Sequence, residues 1–512
     1  MCSYRQEDKS SAFAPPNKIG NVAIIGAGIS GIVTAVHLLR AGIEITVFER
    51  ADGVGGAWDY SPEPDRDPTF PSTRPPTPDW ADLENLQAKR LTLEEAASLF
   101  APPGPVYANM KSRNSNVVMR TSLMEWPQGI REPMDHSVVL AYIRSLARDH
   151  HVQDKIHFRT RVEAVSKAEG DNRWYVRTGT LVSTSTSYML EKKAWEFDAI
   201  VVATGRYSIP RIPDVPGLSA WKYMFPARIS HSKQYRTPTL YRGKTVLIIG
   251  AFISAMEITS ELVNNGAKVY ESANNTRVDF RDHVQHENAE KVAMVAEFST
   301  LPADNQDEAN SGSKPLDDNS PIPGKVILTD GQVLENIHQV IIATGYLTTF
   351  PFLGPLLEQP FTQLQDAGDE VITTADGRTV HNLHEDIFYI PDPTLAFIGI
   401  THFASTFSLY DFQAQVLAVV FAGQVRLPSE AAMKAEQWRR KRRVLPGTLL
   451  NSIFMLDDFV IRRLLDWVNQ DLVASGLEPL SGPDPEWWKA FKLAREKARP
   501  LLGMLQDNYL GT

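Results

Sequence analysis

A chain of 512 residues with 43% hydrophobic and 22% charged residues has a globular composition and is too long for one ordinary core, so more than one domain is expected. A net charge of -9 with no sustained Lys/Arg tract argues against the clustered positive face that nucleic acids and anionic membranes require; the short run Arg439–Arg443 reads as a solvated or carboxylate-paired helix face. Cys2 is the single cysteine, which rules out an internal disulfide and a thiolate metal centre, and no apolar stretch approaches membrane-spanning length, so a cytoplasmic protein without membrane anchor or metal is expected.

In chain order, the first informative element is the strand Val22–Ile25, which runs into Gly26-Ala27-Gly28-Ile29-Ser30-Gly31 and an amphipathic helix that stops at Gly42. The strand Glu44–Phe48 follows and is closed by Glu49. This is G-x-G-x-x-G in its full context, with an acid at the usual distance after the third glycine. Gly26 is expected to allow the tight turn and Gly28 to admit a pyrophosphate to the helix N-terminus. Gly31 permits close helix–strand packing, and Glu49 accepts from ribose hydroxyls.

Glu49-Arg50-Ala51-Asp52-Gly53-Val54-Gly55-Gly56-Ala57-Trp58 resembles the E-x-x-x-x-x-G-G-x-W signature of two-dinucleotide flavoproteins, in which a second glycine turn passes along FAD. The resemblance implies FAD as the occupant. Read as residues alone, Gly55-Gly56 also suits a surface turn and Trp58 an ordinary core position.

The Pro- and Asp-rich stretch from Ser61 to Asp79 reads as a loop. Val138–His150 predicts an amphipathic helix and Lys155–Val162 a strand; strand-like runs at Trp174–Val176 and Phe197–Val202 lead into Ala203-Thr204-Gly205. A second strand–turn–helix runs from Lys244 through Gly250 to Ile258. Ser299–Gly324 reads as a surface loop and Asp330-Gly331 as a hairpin turn, after which Val340–Ile342 and Ala343-Thr344-Gly345-Tyr346 are expected to return the chain to the first domain. From Pro428 onward the pattern is mainly helical, with core positions between Phe454 and Val473. The expected class is α/β, with two nested Rossmann-like dinucleotide-binding domains and a mainly helical C-terminal extension. The boundaries are 18–210 and 336–430 for the two parts of the FAD domain, 211–335 for the inserted NAD(P)H domain and 431–512 for the extension.

Together these landmarks resemble the flavin-containing monooxygenases, the class B flavoproteins, over roughly residues 20–435. Phe225-Pro226-Ala227-Arg228-Ile229-Ser230-His231-Ser232-Lys233-Gln234-Tyr235 is similar to the family's F-x-G-x-x-x-H-x-x-x-[FWY] segment, and Ala343-Thr344-Gly345-Tyr346 to its A-T-G-Y element. Pro393–Gly399 and Gln413-Ala414-Gln415 look like its C-terminal landmarks. The resemblance implies cofactor contacts at Gly26, Gly28, Ser30, Gly31, Glu49, Arg50, Gly56, Trp58, Val162, Thr204, Gly205, Gly250, Ser254, Arg277 and Thr344. It also implies that NADPH reduces FAD and that O2 is then activated for transfer to a small organic substrate. Tyr235 favours the ordinary branch, acting on nitrogen or sulfur, over Baeyer–Villiger enzymes. A linker role is expected for His231 and Tyr235.

The chain departs from the family pattern at several positions. Phe252 stands where the second fingerprint wants its central glycine and Ala255 where it wants the third, which puts the nicotinamide site in doubt. Ala227 replaces the glycine of the identifying segment, a milder change. In the segment from Tyr107 to Met119, similar to the family's Y-x-x-L-x-T-N-x-P-x-x-[LM]-M, Arg113 takes the place of the flavin-side Asn, with Asn114 one step away; both are candidate catalytic donors as well as ordinary loop residues. Arg277 suits the 2′-phosphate of NADPH, whereas Glu271 would favour NADH; the resemblance decides for NADPH. The competing readings are an FAD-dependent oxidase or non-redox isomerase or cyclase, and a non-catalytic FAD-bound protein.

Overall fold

The structure, a computed structural model, describes residues 19–76, 91–168, 170, 172–183, 188–274, 279–299, 317, 319–356, 364–402, 407–444, 449–453 and 455–502. Near-continuous apolar strands such as Val22–Ile25 and Val246–Ile249 suit positions buried on both faces of a parallel sheet, and both lie inside one. The first sheet has seven strands in the order Leu383–His384, Phe388–Tyr389, Leu395–Phe397, Ala199–Val202, Asn21–Ile25, Glu44–Phe48 and Ile156–His157, with only Phe388–Tyr389 reversed. The second has five parallel strands in the order Ala289–Val292, Lys268–Ser272, Thr245–Ile249, Gln339–Ile342 and Ile229–His231.

The second sheet corrects one expectation. Val340–Ile342 lies between Thr245–Ile249 and Ile229–His231 and does not return the chain to the first domain. An apolar run announces a buried strand without saying which sheet receives it. The crossing comes next, where Tyr346–Leu347 pairs antiparallel with the outgoing connector Ile209–Pro210. The two connectors run side by side, with Arg211 N donating to Gly345 O at 2.9 Å and His231 Nε2 3.0 Å from the same carbonyl. The return therefore falls at Tyr346 and not at 336.

Two expected strands each divide. Lys155–Val162 breaks at Arg159, whose φ is 49°, into Ile156–His157 of the first sheet and Thr160–Lys167 of a separate antiparallel meander with Trp174–Ser183 and Tyr188–Phe197. Phe197–Val202 breaks at Asp198, whose Oδ2 accepts from the backbone N–H groups of Gly20 (2.7 Å) and Asn21 (3.0 Å). The meander closes one face of the first sheet, burying Val162, Val165, Trp174 and Val176 with Phe48 and Phe397.

On the other face, the helix Ile29–Arg40 packs against Phe407–Phe421, and His37 Nε2 lies 2.7 Å from Asp411 Oδ1 in the buried seam. Asp411 Oδ2 also accepts from Ser122 N at 2.8 Å. The expected helix at Val138–His150 is His136–Asp149, started by the Asp135 cap, and the expected hairpin joins Val326–Leu328 to Val333–Leu334. The loop expected at 299–324 lies largely outside the described residues.

The C-terminal part is helical, with Glu430–Arg443, Asp457–Ala474 and Pro485–Leu502. Val460, Ile461, Leu464, Trp467 and Val468 form the buried stripe, while Phe454 lies outside the described residues. The basic run is only partly a solvated face, since Arg440 pairs with Asp386 at 2.9 Å and Lys441 is buried. Among the described residues no helix is long and apolar enough to cross a membrane.

Candidate active site

The first fingerprint forms a cradle between two glycine turns. A Cβ added at Gly31 would lie 1.9 Å from the Gly26 carbonyl oxygen, so any side chain there would force the helix Ile29–Arg40 off the strand. Gly56, at φ 58°, comes so near Gly28 that its Cβ would stand 2.9 Å from Gly28 Cα. Two bare backbones thus face each other at a helix N-terminus, the donor arrangement that fits a dinucleotide pyrophosphate.

Glu49 closes the same site. Its two carboxylate oxygens accept from Ala27 N at 2.7 Å and Ala51 N at 2.8 Å, which holds the acid beside the glycine turn with further lone pairs for ribose hydroxyls. Ser30 is buried and donates to Ala203 O at 3.4 Å, and Thr204 and Gly205 follow exposed at the strand end. Arg50 Nη2 donates to Ser208 Oγ at 3.3 Å. Trp58 stands edge-on to Phe407, with ring centroids 6.2 Å apart, and Trp126 and Tyr142 stack behind it, 3.9 Å apart. Val162 stands apart from this group; its side chain is sealed in the core, which leaves only its backbone for a ligand.

The second fingerprint repeats the geometry with side chains added. A Cβ at Gly250 would lie 2.4 Å from Ala343 O, as one at Gly26 would lie 2.6 Å from Ala203 O, so each fold presses its first glycine onto an A-T-G segment. Thr344, in the second of these, donates its hydroxyl to Arg211 O and so serves the connector. Phe252 has φ -97° and ψ -174°, nearly the conformation of Gly28 at -75° and -177°. It is 37% exposed, with its ring 6.3 Å from that of Phe280. Ser254 is exposed in the first helical turn, while Ala255 is fully buried at the position that Gly31 holds in the first fold. Arg277 lies outside the described residues.

Register decides the role of Glu271. Gly26 N donates to Phe48 O and Gly250 N to Ser272 O, both at 2.8 Å, so Ala273 takes the place of Glu49, and Glu271 that of Val47 inside the sheet. Glu271 is 1% exposed, accepts from Thr259 Oγ1 at 2.9 Å, and has its carboxyl pushed up by burial to about 7. The expectation that it favours NADH is corrected. Its carboxylate lies under the helix and cannot reach a ribose.

Between the two folds runs the segment from Tyr107 to Met119. Ser112 N donates to Met134 O at 2.7 Å and His136 N to Met110 O at 3.1 Å, which fixes it to the start of the helix His136–Asp149 beside the Gly56–Trp58 turn. Its other side faces the second fold, where Arg113 pairs with Glu257 and Tyr107 donates to Glu257 Oε2 at 2.9 Å. Tyr235 reaches the next turn of the same helix, donating to Glu261 Oε2 at 2.5 Å, and packs edge-on to Tyr107. Tyr235 and His231 are both buried, and burial lowers the His231 imidazole to about 3, so it stays neutral as a connector clamp. The two candidate donors thus separate. Arg113 is committed to the second helix, whereas Asn114, half-buried at the turn before the helix Asn116–Met119, is engaged among the described residues through its backbone carbonyl, which accepts from Ser112 Oγ.

The sequence model of the flavin-binding monooxygenase-like family matches residues 104–301 and 322–446. The chain belongs to this family. It is therefore a flavin-dependent oxidoreductase, with FAD and NADPH as its cofactors. The model of an NAD(P)-binding Rossmann-like domain also matches residues 24–73, the first fold. Flavin-containing monooxygenase ustF2 of Aspergillus flavus is 35% identical over 93% of this chain and 97% of its own. Flavin-containing monooxygenase iboF of Amanita muscaria is 29% identical over 92% of each chain. Among solved structures, S-allyl-L-cysteine S-oxygenase from Allium sativum has the same fold, with a TM-score of 0.66 at 22% identity over 95% of this chain and 94% of its own.

Two residues beyond those expected shape this site, Glu257 and Asp411, and Gly399 closes the expected landmark Pro393–Gly399. Glu257 joins Tyr107 and Arg113, Asp411 fixes the first fingerprint helix through His37, and Gly399 approaches Ser30 so closely that a Cβ would stand 3.1 Å from the Ser30 Cβ. Glu257 and Glu261, at i and i+4 on one helix face, were the visible signal.

Proposed function

We propose that this monooxygenase uses NADPH and O2 to oxygenate a small organic molecule at a nucleophilic nitrogen or sulfur. The supporting observation is the paired architecture: an intact FAD cradle at Gly28 and Gly56, joined through Arg113 and Glu257 to a second nucleotide fold. The second fold carries Ala273 in place of a ribose acid, so no carboxylate repels a 2′-phosphate at that position. FAD held between Gly28 and Gly56 would, once reduced, provide the chemistry that activates O2. The protein's share is to hold and to exclude. Trp58, Trp126, Tyr142 and Phe407 form an aromatic wall that keeps water from one side of the Gly56–Trp58 turn, and Asn114 is the donor available to steady developing charge. Preference for nitrogen or sulfur over a carbonyl carbon rests on Tyr235 in the identifying segment.

The test is product analysis with 18O2, NADPH and a panel of amines, thioethers and cyclic ketones. Labelled N- or S-oxides with matching NADPH consumption are expected. Lactone products would reject the nucleophilic-atom preference, and turnover that needs no NADPH would reject the monooxygenase reading. A second reading rests on Phe252, which blocks close backbone approach and suits an oxidase or an isomerase or cyclase that has lost efficient NADPH use. Substrate-driven flavin reduction without NADPH would favour it.

A further inference from the structure

At the Leu383–His384 edge of the first sheet, the helix Glu430–Arg443 and the segment 365–382 border a half-open pocket of about 300 Å3. Lys441 lines it, although its side chain belongs to a residue only 5% exposed. Among the described residues no carboxylate lies within ion-pair distance of this ammonium. Asp369, on the same pocket, is engaged by Lys434 at 3.4 Å, and Lys434 also holds Glu430 at 2.9 Å. Burial lowers the Lys441 pKa more than the distant Asp369 charge raises it. Its field is felt nearby, where burial first and Lys441 second depress His381 to about 3.

A charge at the end of a largely buried side chain, with no counter-charge beside it, is unfavourable, and proteins ordinarily pair such a group. Part of the wall is tied by hydrogen bonds. Asn382 Nδ2 donates to Gly368 O at 2.6 Å and Val371 O at 2.8 Å, and with its amide turned the right way Gln437 donates to Asn382 Oδ1 at 2.9 Å. Trp438, half-exposed, adds an aromatic surface to the lining, with the Arg442 guanidinium 4.4 Å over its ring. We propose that this pocket is a second ligand site, in which Lys441 binds the oxyanion of a small carboxylate or phosphate compound. It is independent of both nucleotide folds and involves no residue assigned to FAD or NADPH.

The experiment uses the FAD-loaded protein and two probes, inorganic phosphate and benzoate, each followed by calorimetric titration and by the shift in Tm. One-to-one binding of at least one probe is expected, with a rise in Tm. The probe that binds identifies the class, phosphate or carboxylate. Lys441→Met keeps an unbranched chain as far as Cε, removes the charge and should weaken binding by about tenfold or more, the scale of one lost charged hydrogen bond. FAD content should be unchanged. Lys441→Gln provides a second neutral variant should the Met form fold poorly. Failure of both probes to bind the wild type at millimolar concentration overturns the proposal, as does equal binding by the neutral variants.

Discussion

Arg113 and Glu257 form an ion pair that ties the segment following the first nucleotide fold to the leading helix of the second. Arg113 is 52% exposed at its side chain, so the pair contributes less than about 1 kcal/mol and acts chiefly by orientation. Arg113→Ala should therefore raise KM for NADPH by less than about fivefold and leave the ratio of product to hydrogen peroxide unchanged. Asn114→Ala should lower coupled product on the order of 100-fold while peroxide rises, because a preorganised donor is lost where charge develops. Parallel assays of NADPH, product and peroxide separate the two, and an equal rise of peroxide in both variants would reject the division of roles.

Phe252 adopts the backbone conformation of Gly28 but carries a ring where the first fold carries none. Phe252→Gly should restore close approach at the second helix N-terminus and speed anaerobic flavin reduction at subsaturating NADPH on the order of tenfold, the equivalent of about 1.4 kcal/mol. Stopped-flow absorbance of the flavin measures this. A slower variant would mean that the ring is a platform for the coenzyme and not an obstacle.

Much of the fold was legible because local chemistry dictated it. Gly26, Gly31, Glu49 and the flanking apolar strands specify one strand–turn–helix, and the same spacing returned at Gly250. What sequence could not supply was long-range partnership. The strands Val340–Ile342 and Ala199–Val202 are equally apolar and both end in A-T-G, yet they enter different sheets, and only pairing with Thr245–Ile249 decides it. Glu271 failed for a related reason. A shift of two residues along a strand keeps the side chain on one face and carries it from the ribose end to beneath the helix. Likewise Arg113 and Asn114 were adjacent in sequence, and their different engagements come from Glu257, far along the chain.

The glycine cradle makes a sharp comparison. Gly31→Ala would place a methyl 1.9 Å from the Gly26 carbonyl, costing about 1–3 kcal/mol and loosening the turn that receives FAD. Gly28→Val should abolish flavin retention, since its branches would crowd Gly56 and the pyrophosphate space. In the second fold the counterpart is already Ala255, so Ala255→Gly should cost only about 0.5–1 kcal/mol, the ordinary helix penalty, with full FAD content. Absorbance of the purified variants gives the flavin ratio directly; a fully yellow Gly28→Val protein would remove FAD from this site.

Glu271 predicts a pH dependence of stability. Burial pushes its carboxyl up from 4.5 to about 7, while the Thr259 hydroxyl and the Arg281 charge pull it down less strongly. Because the folded value lies above the unfolded one, the folded state binds the proton more tightly between the two. The associated stability is fully present below pH 4.5 and is lost as pH rises through 7. Glu271→Gln keeps an oxygen to accept from Thr259 and leaves Arg281 paired with Asp279 at 2.6 Å, but it cannot ionise. The variant should thus match the wild type near pH 5 and exceed it at pH 8.5 by up to ~3 kcal/mol. Urea unfolding of the two proteins across that range measures the difference. A constant gap between the curves would show that Glu271 is already ionised in the folded protein and that its carboxylate is stabilised by Arg281.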